Sequence, residues 1–117
     1  MSFGEYFKNL RKKNHKTQGE IAKAINKSTM LISGVESGKN GPFVHEDLVK
    51  ICEYLKLTEE EREKLFIEAA IERGRMPDNI VAYMKEFRMV YRLIVTLRRK
   101  NYTDADILEL INNLEEK

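Results

Sequence analysis

The chain has 117 residues, the length of one domain or of a small domain with an extension. With 42% hydrophobic and 34% charged residues it is too apolar for a disordered tail and too charged for a membrane protein. A formal charge of +2 excludes a uniformly basic nucleic-acid coat but not a local basic face.

No apolar run approaches the ~20 residues of a membrane span. The amino terminus, MSFGEYFKNLRKK, lacks the long apolar core and small-residue cleavage site of a secretory signal. The single cysteine, Cys52, cannot form an internal disulfide, and His15 and His45 make no metal-ligand spacing with it or with each other. A phosphate-binding glycine loop, GxSxG and HExxH are all missing. The expectation is a soluble, cytoplasmic, non-enzymatic protein that uses no metal and no cofactor.

Strand signals are weak and helical signals dense, so the expected fold class is all-α. Phe3 to Asn14 carries Phe3, Phe7 and Leu10 at helical spacing. Thr17 and Glu20 form a capping box that opens a second helix, with Ile21, Ala22 and Ile25 facing inward. Asn26 ends it, because asparagine tolerates the left-handed conformation. Ser28 is the expected N-cap of a short third helix from Thr29 to about Val35, stopped by Ser37-Gly38.

After a loop containing Pro42, His45 to Lys56 is the fourth helix, burying Leu48, Ile51, Cys52 and Leu55. A second capping box at Thr58 and Glu61 opens a fifth helix through about Arg73, burying Leu65, Phe66, Ala69 and Ala70. Gly74 to Pro77 is a break. Residues 78–85 read as a short helix, 86–100 as a strongly apolar one, and 103–114 as a last helix opened by Thr103 and Asp106. Arg88, Arg92 and Arg99 share a face of the penultimate helix, exposed to solvent or turned to an acidic partner or flanking DNA. The expected division is residues 1–74 and a helical extension over 75–117. The apolar side chains of that extension either fold back on the first part or pair with another chain.

The small net charge is an average over unlike parts. Residues 1–41 hold eight lysines and arginines against three glutamates, residues 42–75 six against nine acids, and residues 76–117 seven of each. The basic excess falls on the segment with two short helices and a tight turn, Thr17 to Val35, which is the spacing of a helix-turn-helix. Ile21, Ala22, Ile25, Ile32 and Val35 would lock the pair, leaving Ser28, Thr29, Met30, Ser33 and Gly34 outside.

The segment TQGEIAKAINKSTMLISGVESG resembles the Xre and lambda-repressor-like helix-turn-helix pattern over twenty-two gapless positions. Thr17, Gln18, Glu20, Ala22, Ser28, Ser33, Glu36 and Gly38 match, and Ile21, Ile25, Ile32 and Val35 are apolar equivalents. Asn26, Lys27 and Met30 depart from it. The resemblance implies a five-helix DNA-binding domain that reads the major groove with helix 29–35. It implies that Thr17 and Gln18 lie at the phosphate-contacting start of the second helix. Thr29, Met30, Ser33 and Gly34 would look at base edges, Lys39 and Asn40 would grip backbone phosphates, and Arg11 and Glu36 would form a semi-buried scaffold pair. Lys27 and Ser28 in the turn complete the expected DNA-binding set.

The third helix lacks the Arg, Asn and Gln side chains that make bidentate base contacts. Specificity is therefore expected to lean on methyl contacts, backbone positioning and DNA shape. The resulting expectation is a transcriptional repressor that binds a double-stranded operator as a homodimer through residues 75–117. The second reading is a non-enzymatic interaction module, an antitoxin or inhibitor that uses the same scaffold to bind a protein.

Overall fold

Local capping chemistry sets the helix boundaries. In the computed structural model, which describes residues 1–117, Thr17, Thr58 and Thr103 each accept a hydrogen bond from the third backbone N–H of the helix they open. Glu20, Glu61 and Asp106 each accept one from the backbone N–H of the capping threonine. Ser2 and Ser28 cap two further starts from Glu5 N and Leu31 N. The eight helices, with no strands, are α1 (Phe3–Lys13), α2 (Gln18–Ile25), α3 (Thr29–Ser37), α4 (His45–Leu55), α5 (Glu59–Arg73), α6 (Asp78–Glu86), α7 (Met89–Arg99) and α8 (Asp104–Glu115).

Five helix ends close the same way. His15, Asn26, Lys56, Gly74 and Asn101 adopt positive φ, and the next backbone N–H returns to a carbonyl five residues back. Asn26 and the break after Arg73 are visible in the sequence. The lysine at 56 and the histidine at 15 are not residues that advertise a left-handed turn.

Backbone hydrogen bonds to the cap carboxylates lower the pKa of Glu20, Glu61 and Asp106. A depressed folded-state pKa stabilises above the unfolded value, about 4.3 for Glu and 3.9 for Asp, and is lost as pH falls through the folded value. The E20Q/E61Q/D106N variant is therefore expected to show a shallower loss of helical circular dichroism below about pH 4. An acid transition as steep as the parent's would show that the caps do not titrate with folding.

The chain divides into two compact units, Met1–Met76 and Pro77–Lys117. In the first, α3 packs on α1 and α2, α2 on α4, and α5 on α1 and α4. Phe3, Phe7, Leu10, Ile21, Ile25, Ile32, Phe43, Leu48, Ile51 and Leu65 build one core. Phe7 and Phe43 meet edge to face at 4.8 Å. Cys52 lies in this core, as its apolar helix face requires, and burial pushes its thiol pKa up. Phe66 and Ala70, expected to be buried, are only half-buried on the rim of α5.

The end of α5 ties down the start of the chain. Glu72 accepts from Phe3 N at 2.9 Å, and Arg73 donates to the carbonyls of Pro42 and Phe43. The loop after α3 is thereby pinned to α5.

In the second unit α6 packs on α7. The break between them falls at Phe87 and Arg88 rather than at 85–86, because Phe87 leaves helical geometry with φ −114° and ψ 84°. No residue of α6, α7 or α8 is buried. No helix of the chain is long and apolar enough to cross a membrane.

Candidate nucleic-acid interface

Ile21, Ala22, Ile25, Ile32 and Val35 are all buried and lock α2 to α3. The turn between them is short because Asn26 takes φ 56° and ψ 47° and Ser28 immediately caps the next helix. The first turns of the two helices lie side by side: a carbon built on Gly19 falls 4.0 Å from Thr29 Oγ1. The surface they form carries backbone N–H groups that have no partner within their helices. Such positive ends favour anions.

Beneath that surface lies a buried ionic network. Arg11 donates from Nε to Glu36 Oε2 at 2.7 Å and from Nη2 to Glu36 Oε1 at 3.0 Å. Its Nη1 donates to the Lys16 carbonyl at 2.8 Å. The two side chains are 10% and 4% exposed. The two-pronged pair raises the Arg11 pKa further, its hydrogen bond to Glu36 outweighing desolvation. Gln18 Nε2 donates to Glu36 Oε1 at 3.1 Å. Glu36 on α3 therefore fixes both the α1 end and the first residue of α2.

The remaining expected residues divide by environment. Thr17 and Ser28 spend their hydroxyl oxygens on capping. Lys27, Thr29, Met30, Ser33, Lys39 and Asn40 are exposed, Met30 at 81%. Gln18 is half-buried. Of the basic run before α2, Arg11 is consumed by Glu36, Lys13 pairs with Glu61 at 3.6 Å, and Lys16 sits 5.1 Å over the Tyr54 ring. Lys12 extends from α1 with no such partner.

Gly34 corrects an expectation. Helical spacing puts it on the outward row with Met30 and Ser37, yet it is buried. The loop after α3 folds back, Asn40 N donates to the Gly34 carbonyl at 2.9 Å, and the Asn40 side chain lies over the glycine. A Cβ at 34 would collide with that carboxamide. Gly34 is thus not an exposed backbone patch but the seat for Asn40, which brings to the outward face of α3 the amide that the helix lacks.

Gly4 escapes any sequence signal. Its missing Cβ lets α1 approach α3 so closely that a methyl would lie 2.6 Å from the Glu36 carbonyl oxygen. No periodicity reports how near two helix backbones run.

Two short locked helices, a left-handed turn and an exposed, capped second helix define a helix-turn-helix. A family model described as a helix-turn-helix domain matches residues 2–65, and the chain belongs to that family. No curated protein matches the chain, and no solved structure does. No group of three His, Cys, Asp or Glu side chains is placed to hold a metal ion.

Proposed function

We propose that this protein is a sequence-specific double-stranded DNA-binding regulator of the Xre, lambda-repressor-like type, acting as a repressor by covering promoter DNA. Helices α1–α5 form its five-helix binding domain, and two copies joined through residues 75–117 read two half-sites. The observation that carries this reading is the outward face of α3. It has no acidic residue, its core side is locked by Ile32 and Val35, and it presents Thr29, Met30 and Ser33 beside Asn40.

Each group on this surface has a task. Gln18, steadied by Glu36, keeps its second amide N–H for a phosphate at the start of α2. Lys27 and Lys39 supply charge to the backbone on either side of α3. Thr29 and Met30 offer methyl groups to thymine, and Ser33 offers a hydroxyl. Direct bidentate readout is scarce, so DNA shape carries part of the specificity.

Selection of bound fragments from the source genome tests the reading. The expected result is enrichment of a two-fold symmetric site, including one upstream of the protein's own gene. Failure to retain any duplex at low salt would overturn it in favour of a protein-interaction module.

Gly34→Ala separates the seat from the reader. Alanine is the better helix former by about 1 kcal/mol, so stability should hold or rise while the Asn40 amide is displaced. Affinity for the selected site should fall roughly three- to tenfold, the worth of one hydrogen bond. Asn40→Ala should do the same, and the two should not add. Unchanged affinity in both would place Asn40 outside the interface.

A further inference from the structure

The extension carries opposite charge on its last two helices. From 88 to 100, the α7 segment holds Arg88, Arg92, Arg98, Arg99 and Lys100 and no acid; from 103 to 116, the α8 segment holds Asp104, Asp106, Glu109, Glu115 and Glu116 and no base. Each helix also leaves an apolar row open. On α7, Val90 and Leu97 are half-buried, while Tyr91, Ile94 and Val95, at i, i+3 and i+4, form a second row that is exposed, Ile94 at 48%, with Arg98 at its end. Arg88, Arg92 and Arg99 border this row. On α8, Ile107, Leu110, Ile111 and Leu114 share one face, Leu114 at 67% exposure, with Asp104 and Glu115 along its edge.

Exposed apolar rows of this extent mark an interaction surface. A helix basic beside its row and a helix acidic beside its row are complementary to each other. Once two copies are related by a two-fold axis, every α7 finds an α8. We propose that the extension self-associates reciprocally, α7 of one copy seating against α8 of the second and α8 against its α7. This deepens the dimeric reading above and rests on it. It also gives the Arg88, Arg92 and Arg99 face an acidic partner within the same gene product. The charge pattern sets register and partner choice, and burial of Ile94, Val95, Ile111 and Leu114 supplies affinity.

The test is light scattering of the full chain without DNA, on four proteins: the parent, R92E/R98E/R99E, D104K/E115K, and a chain carrying both sets. The parent is expected at twice 13.7 kDa. Each reversed set should shift to half that mass, with association weakened at least tenfold. An equimolar mixture of the two sets should return to the dimer, since every contact in the mixed pair is again between opposite charges. The doubly reversed chain should also dimerise, which shows that the substitutions did not simply unfold the helices. A parent that stays monomeric, reversals that leave the dimer intact, or a mixture and doubly reversed chain that both remain monomeric would overturn the proposal. Retention of duplex DNA is scored separately, so a dimer that ignores DNA would sink the regulator reading and leave this one standing.

Discussion

Replacing Glu36 by alanine is expected to cost about 3–5 kcal/mol of folding stability, because it strands a buried arginine. Arg11 would keep its bond to the Lys16 carbonyl but lose the two hydrogen bonds it donates to the carboxylate. Gln18 would lose its partner at the head of α2. The cost is that of an unpaired charge, not the net worth of the pair. The R11M/E36L double variant should therefore lie close to the parent in urea denaturation, or above it. Its DNA affinity should still fall, because Gln18 is no longer held. A Glu36→Ala variant within 1 kcal/mol of the parent would mean that water reaches Arg11 and that the network is not a brace.

Gly4→Ala is the second large effect, and its sign is diagnostic. Helix propensity alone favours alanine by about 1 kcal/mol. The structure opposes that gain, since the new methyl would meet the backbone carbonyls of Val35 and Glu36. Backbone cannot rotate aside as a side chain can, so α1 and α3 must separate. The net loss should be about 1–3 kcal/mol, read as a lower denaturation midpoint. Because α3 carries the proposed binding face, affinity for DNA should fall with it. A variant more stable than the parent would show that α1 and α3 do not touch backbone to backbone.

What the sequence revealed was mainly local. Thr17 with Glu20, Thr58 with Glu61 and Thr103 with Asp106 are four-residue signals, and all three form as read. The core positions of α2 and α3 follow from helical period. The Arg11–Glu36 pair spans twenty-five residues and came from the family resemblance, not from spacing.

The misses share a cause: they depend on how close separate elements come. Gly34 looked like exposed backbone because nothing in its own helix shows that Asn40 folds over it. Gly4 carries no sequence signal, because the distance between α1 and α3 leaves no mark on periodicity. Phe66 and Ala70 belonged to an apolar pattern whose far side the rest of the unit only partly covers. Periodicity also identified α7 and α8 as apolar without saying what covers them.

The partitioned charge joins these strands. Of the acids in residues 1–41, Glu36 is neutralised by Arg11, and Glu20 is held in its cap. Lys27 and Lys39 stay free beside α3, and the acidic surplus of residues 42–75 lies largely on α4 and α5. A small overall charge thus averages a basic first third of the chain with an acidic second third.

The most direct test of DNA binding is the affinity of the full chain for its selected duplex across a salt series. A log–log slope of about −3.6 or steeper is expected, from four or more neutralised phosphates at about −0.9 each. Lys39→Ala should flatten it by roughly one for each chain bound. No binding at low salt, or a slope near zero, would contradict a DNA-binding role for this helix-turn-helix.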